Sequence, residues 1–164
     1  MFKNLTPLLY LKLRSQSISG LHLPSGQVFD EPPVLALQTI KGKREAIAVG
    51  HAAMKLQGQS QVEVLNGFDH PRSLLADFAV AEKTLQLLVR QLAGKSLLRL
   101  APTVVLHPLE HLEGGLTQVE TRGLYELCRG AGAKQVQLWV GRELTIEELR
   151  SRQFPSDGGS LLTP

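Results

Sequence analysis

The chain has 164 residues, of which 43% are hydrophobic and 20% charged, with a formal net charge of +3. That length suits one domain, burying roughly 70% of its unfolded surface and needing no disulfide or structural metal, and the composition excludes disordered and fibrous classes. Cys128 is the single cysteine, which excludes an internal disulfide and makes a reduced intracellular compartment the expectation.

Leu8 to Leu13 and Ser17 to Leu23 read as two strands, with a turn at Pro24-Ser25-Gly26 and a third strand ending in Val34-Leu35-Ala36-Leu37. Short connections predict an antiparallel meander. Pro32 and Pro33 donate no hydrogen bond to a ladder, so the third strand is expected to become regular only after them. Glu45 to Val49 reads as a fourth strand and His51 to Leu56 as a short helix. Gln61 to Leu65 alternates like a strand with one wet face, and Asn66 to Ser73 reads as a loop.

After Asp77 the apolar residues Phe78, Ala81, Leu85, Leu88, Val89 and Leu92 recur at helical spacing, with Asp77 as cap and Gly94 as terminator. Thr103 to Leu106 suits a buried parallel strand. Thr117-x-x-Glu120 is a capping box opening a helix with Leu124, Leu127, Cys128 and Ala131 on one side, stopped by Gly130 or Gly132. Val136, Leu138 and Val140 alternate along another strand. A second box, Thr145-x-x-Glu148, begins a last helix that Pro155 ends, and the Gly- and Ser-rich tail from Ser156 to Pro164 is expected to be loose. No internal repeat is visible.

Few residue patterns carry chemistry. The densest basic cluster, Lys41, Lys43 and Arg44, lies on a predicted hairpin with no aromatic platform beside it, so a solvated turn is expected and nucleic acid is not an expected partner. Cys128 lies on an apolar helix face with no activating base nearby and reads as a small buried hydrophobe. His107 and His111 are four apart, but Pro108 argues against a helix there and no third ligand follows, so no metal site is expected. His22, His51 and His70 show no pairing of the kind a catalytic dyad requires. No apolar run reaches the roughly 18 residues that span a bilayer, and the N-terminus lacks the order of a signal peptide, so a cytoplasmic protein without a transmembrane segment is expected.

Three stretches together carry a family resemblance: Ala48-Val49-Gly50-His51-x-Ala53, then Ala76-Asp77-Phe78-x-Val80-x-Glu82-Lys83, then Thr117-x-Val119-Glu120-x-Arg122 followed by Ala131-Gly132-Ala133. From about Leu8 to about Val140 the chain resembles the N-terminal half of MreB-type bacterial actins. The resemblance implies an α/β, RNase H-like fold: a mixed sheet of three strands followed by alternating helices and strands, with a small α+β lobe inserted at about 41–75. Residues 1–155 are then one domain and 156–164 a flexible tail.

The resemblance also implies where a nucleotide site would lie, and there the sequence departs. The family's first hairpin reads Asp-Leu-Gly-Thr-Ala-Asn, where the Asp helps organise magnesium and the Gly-Thr backbone approaches the phosphates. Here Lys12, Leu13, Arg14, Ser15, Gln16 and Ser17 stand in its place. A lysine replaces the carboxylate, and an arginine replaces the glycine that allows close approach. The Val-Pro turn leading to Gly-Ile-Thr is stretched over Val104 to Thr117. The family's Glu-Glu-Pro-x-Ala-Ala falls on Val140 to Thr145, with its Glu displaced. Lys12, Arg14, Ser15 and Gln16 are therefore a degenerate nucleotide-site candidate. Arg14 and Arg142 are a candidate interaction surface.

The expectation is a non-catalytic half-actin, an interaction or scaffold module in cell-shape or envelope-assembly machinery, with no cofactor, ATP not expected to bind, and a protein partner or a weak homodimer. Two alternatives remain at this stage. One is residual nucleotide binding. The other is an RNase H-like nuclease, which needs clustered carboxylates holding two metals, one of them normally where Lys12 stands.

Overall fold

The computed structural model describes residues 6–93 and 100–164. β1 (Leu8–Leu13) and β2 (Ile18–Leu23) form a hairpin whose register runs from Leu8 opposite Leu23 to Leu13 opposite Ile18. β3 (Val28–Glu31) adds antiparallel to β2. β7 (Thr103–Pro108) lies parallel to β1, β8 (Gln135–Gly141) parallel to β7, and β9 (Gly159–Leu162) antiparallel to β8. The result is a six-stranded mixed sheet in the order β3-β2-β1-β7-β8-β9.

Side-chain alternation sorts the core onto the two faces of this sheet. Leu9, Leu11 and Leu13 of β1, Val104 and Leu106 of β7, and Val136 and Leu138 of β8 point one way. They meet the stripes of α2 (Phe78–Ala93) and α3 (Gln118–Gly130), namely Ala81, Leu85, Leu88, Val89 and Leu92 from the first and Leu124, Leu127 and Cys128 from the second. Leu8, Tyr10, Val105 and Trp139 point the other way, against Leu144 and Leu149 around α4 (Ile146–Ser151). Central strands buried on both faces explain why β7 reads as an uninterrupted apolar run.

A smaller sheet, in the order β5-β4-β6, stands between β3 and α2. It comprises β4 (Val34–Ile40), β5 (Lys43–Val49) and β6 (Val62–Asn66), with α1 (His51–Met54) between β5 and β6. The β4–β5 turn places Lys41 at φ 51 and Gly42 at φ 79, the positive angles of a two-residue hairpin turn. Gly67 then lets the chain leave the lobe close against α2. A Cβ there would lie 2.5 Å from the Ala81 backbone nitrogen and 2.7 Å from the Asp77 carbonyl oxygen.

Both capping boxes form, with the Thr117 and Thr145 hydroxyls accepting from the Glu120 and Glu148 amides. Asp77 accepts from the Val80 amide at 3.1 Å. Gly94 lies outside the described residues.

Five sequence expectations need correction. The third strand of the large sheet is regular before the prolines, not after them. Pro32 and Pro33 carry the chain from one sheet into the other, because neither has an amide with which to continue a ladder. The lobe therefore begins at Val34 rather than near residue 41. The tail expected to be loose contains β9, which pairs antiparallel with β8, since Gly159 lacks the Cβ that would stand 2.3 Å from the Trp139 ring. Phe78 is 42% exposed although it heads the apolar stripe, and the last helix stops at Ser151, with Arg152 left-handed at φ 59, before it reaches Pro155.

Candidate functional site

In an α/β sheet the crevice beyond the carboxyl ends of parallel strands is the usual ligand position. Here those ends are Leu13 of β1, Pro108 of β7 and Gly141 of β8, and each continues into a segment bearing charge. Past β1 come Arg14, Ser15 and Gln16, past β7 come Glu110 and His111, and past β8 come Arg142 and Glu143. The parallel pairing of β1 with β7 and of β7 with β8 gathers the three segments at one edge of the sheet.

Two cations at this edge, Lys12 and Arg142, are matched within the chain, whereas Arg14 has no ion-pair partner among the described residues. Lys12, half-buried one residue before the end of β1, donates from Nζ to Oε1 of Glu143. The amide of Ser15 donates to Oε2 of Glu110 at 3.0 Å, so a carboxylate of the protein sits on the backbone donor at the hairpin tip. That hydrogen bond, helped by the nearby Arg14 and His111 charges, holds the Glu110 carboxyl below the usual carboxylate range. The Ser15 carbonyl accepts from Nδ2 of Asn66 at 2.7 Å, and the Leu109 amide donates to the Leu13 carbonyl at 2.9 Å. The hairpin tip is thus tied both to the end of β6 and to the segment after β7. Arg14 and Gln16 remain exposed.

Arg142 donates through both terminal nitrogens to Glu148, at 2.9 and 2.7 Å. The same carboxylate accepts from the Thr145 amide at 2.9 Å and is drawn down to about 2, chiefly by the Arg142 guanidinium. The fork-on-fork geometry fixes the loop between β8 and α4.

Beneath this edge lies a buried polar chain. His107 Nε2 is 2.8 Å from the Gly141 carbonyl oxygen, which only accepts, so Nε2 carries the proton. Nδ1 then accepts from the Tyr10 hydroxyl at 2.7 Å, and that hydroxyl accepts from the Leu144 amide at 3.2 Å. Burial pushes the His107 pKa below its ordinary value and the Tyr10 phenol up to about 12, which keeps both groups neutral. β1, β7, the end of β8 and the entry to α4 are joined by this single network.

His107 and His111 do not share a helical face: His107 belongs to β7, and His111 turns the chain at φ 57. Among the described residues no group of three or more His, Cys, Asp or Glu side chains is placed to hold a metal ion. A magnesium-bound phosphate at this edge would need a free carboxylate near Lys12 and open backbone donors on the hairpin. The side chains present fit neither need, because a cation occupies the first position and Glu110 already sits on the Ser15 donor.

Sequence reading named Lys12, Arg14, Ser15, Gln16 and Arg142, and all five stand at this edge. It missed Glu110, Glu143 and Glu148 as their partners, and Tyr10 with His107 as the support beneath. Glu110 is 95 residues from Ser15, and Glu143 is 131 residues from Lys12. Nothing local in the sequence marks such pairs; the one signal it offered, a carboxylate two residues past a buried strand, would place Glu110 at a sheet edge without naming its partner.

Three antiparallel strands, a lobe inserted after the third, and parallel strands connected through helices define one half of an actin-like fold built on an RNase H-like sheet. The MreB/Mbl protein family model matches residues 21–144, and the chain belongs to that family. It is 33% identical over 143 residues to the cell shape-determining protein MreB of Escherichia coli, covering 82% of this chain and 40% of that protein. It is also 42% identical over 81 residues to the uncharacterized protein YjaA of Escherichia coli, covering 46% of this chain and 64% of that one.

Among solved structures it resembles MreB5 of Spiroplasma citri bound to ADP, with a TM-score of 0.62 at 19% identity over 82% of this chain and 38% of that chain. A non-polymerising MamK mutant bound to AMPPNP gives 0.64 at 13% identity, covering 82% and 40%. The fold likeness is therefore to the N-terminal part of these proteins. The chain spans about two fifths of the length of the MreB relatives it matches, 40% for the Escherichia coli protein.

Proposed function

We propose that this chain is a non-catalytic actin-like half that works as an interaction or scaffold module in cytoplasmic cell-shape or envelope-assembly machinery. One observation carries this reading: at the edge where the family resemblance implies phosphate and magnesium, Glu110 caps the Ser15 amide and Lys12 pairs with Glu143. An incoming phosphate would have to displace a carboxylate that is already hydrogen-bonded, and among the described residues no group of three or more His, Cys, Asp or Glu is placed to hold its metal. Phosphoryl transfer rests on positioning and charge neutralisation, and the pairing of Lys12 with Glu143 and of the Ser15 amide with Glu110 argues against both.

The interaction reading has support of its own in a groove of about 590 Å³ over β2, β3 and α4, lined by Leu21, Phe29, Leu144 and Leu149. At its rim Val28 is 72% exposed and Ile146 50% exposed, an apolar surface of the kind that partners cover.

The test is a calorimetric titration of the protein with Mg-ATP, run alongside a phosphate-release assay. No saturable heat and no release are expected. Micromolar binding that disappears in Ser15→Pro, which lacks the amide, would show a working phosphate loop and overturn the reading. Light scattering over about a hundredfold range of concentration separates its two branches, since the mass of a weak homodimer rises with concentration and that of an adaptor awaiting another protein does not.

A further inference from the structure

At the opposite end of the sheet, where β1, β7 and β8 begin, lies an open cleft of about 1000 Å³ between those strand starts and the last turn of α4. Lys134, Arg150 and Arg152 line it, and Arg129 stands beside it, its Nη1 donating to the Lys134 carbonyl at 2.6 Å. None of these four cations has an ion-pair partner among the described residues. The two stretches outside the described residues, 1–5 and 94–99, contain no Asp or Glu. Two carboxylates also line the cleft, Glu147 and Glu148, but Arg142 already neutralises the second. At the carboxyl edge Lys12 and Arg142 are paired and Arg14 is not, whereas here all four cations lack an ion-pair partner among the described residues.

A second, apolar pocket of about 180 Å³ opens beside the cleft, formed by Leu8, Leu23, Pro24 and Leu149, and it shares Thr6, Arg150 and Arg152 as its wall. Arg152 is fixed in that wall by donating to the Thr6 carbonyl at 3.0 Å, while Arg150 and Lys134 project into solvent. A pocket of that size takes one aliphatic side chain. Apolar anchor and surrounding cations together match a short acidic peptide carrying a single leucine-like residue, the combination in which the pocket supplies affinity and the guanidinium groups select carboxylates.

We propose that this cleft is a docking site for an acidic peptide segment of a partner protein, with the apolar pocket receiving its anchor residue. The proposal extends the interaction-module reading, but the Mg-ATP titration reads the other end of the sheet, so the two fail separately. A nucleic acid is disfavoured because no aromatic side chain among the described residues lines the cleft. A membrane is disfavoured because the described cations ring a concavity and not a flat or bulging face.

The probe is a fluorescein-labelled, end-blocked peptide with one leucine between pairs of glutamates, followed by anisotropy. Saturable binding with a Kd below about 1 mM is expected, weakening as salt screens the charges. The double variant Lys134→Gln, Arg150→Gln, both exposed positions whose folding is checked by circular dichroism, is expected to bind at least about tenfold more weakly. Replacing the leucine by alanine should give a comparable loss. Absence of saturation, indifference to the double variant, or equal indifference to the alanine peptide overturns the proposal. Variant-sensitive binding of phosphatidylglycerol vesicles or of single-stranded oligothymidine without binding of the peptide also overturns it, in favour of a lipid or nucleic-acid surface.

Discussion

Tyr10→Phe isolates the buried network under the carboxyl edge. The substitution keeps the ring, which is 3% exposed and packs in the cluster with Leu8, Val105 and Trp139, and removes only the hydroxyl. The Leu144 amide then has no acceptor and His107 Nδ1 has no donor, so two buried polar atoms, 134 and 97 residues from Tyr10 in sequence, lose their partner together. Each of the two buried groups left without a partner costs about 1–3 kcal/mol, which sums to about 2–6 kcal/mol. Trp139 is the single tryptophan, is fully buried in the same cluster, and donates from its indole to the Arg142 carbonyl at 2.8 Å. Its fluorescence through a urea titration therefore reports directly on this part of the fold. A double-mutant cycle with His107→Phe should return a coupling energy of about 1 kcal/mol or more. A Tyr10→Phe loss under about 0.5 kcal/mol, or no coupling in the cycle, would show that the hydroxyl does not join the strands to the α4 entry.

Truncation of Leu88, 1% exposed on the inner face of α2, to alanine should cost about 2–5 kcal/mol, and a loss of unfolding free energy below about 1 kcal/mol in a urea titration would place that face outside the core. Stability should fall below about pH 6.5, because burial lowers the pKa of both His22 and His107 from 6.5. The unfolded chain takes up protons there that the folded chain refuses, so their contribution is complete above that pH and is lost as pH falls toward the folded values. Urea midpoints at about pH 7.5 and 5.5 measure the difference, and His107→Gln should reduce it. Cys128 is fully buried and its thiol is pushed up to about 12, so an aromatic disulfide reagent should label it only after unfolding; fast labelling of the native protein would contradict the packing of α3. Gly67→Ala should destabilise the protein by more than an exposed substitution does, since the new methyl meets the α2 backbone and not a movable side chain, and an unchanged melting temperature would refute that close approach.

The sequence by itself determined the elements whose signals are local. The α2 stripe, both capping boxes, the apolar run of β7 and the alternation of β8 each depend on residues within a turn or two of one another, and each formed where its spacing placed it. The family likeness, carried by short motifs around Gly50, Asp77 and Thr117, was legible for the same reason. Even local rules misled where a glycine or proline had two readings. The prolines at 32 and 33 reduce hydrogen bonding wherever they stand, but only the separation of the two sheets decides that a strand lies on each side of them. Gly159 reads as looseness in isolation and as close packing once Trp139 lies beneath it. What only the tertiary structure decided was the pairing of distant charges. Lys12 and Arg14 mark a departure from a phosphate site in the sequence, but it is the parallel order of β1, β7 and β8 that brings Glu110 and Glu143 to them. At the other end Lys134, Arg150 and Arg152 gather with no ion-pair partner among the described residues. Electrostatic partners are chosen by distance through space, and a sheet of this topology sets that distance between residues more than a hundred positions apart.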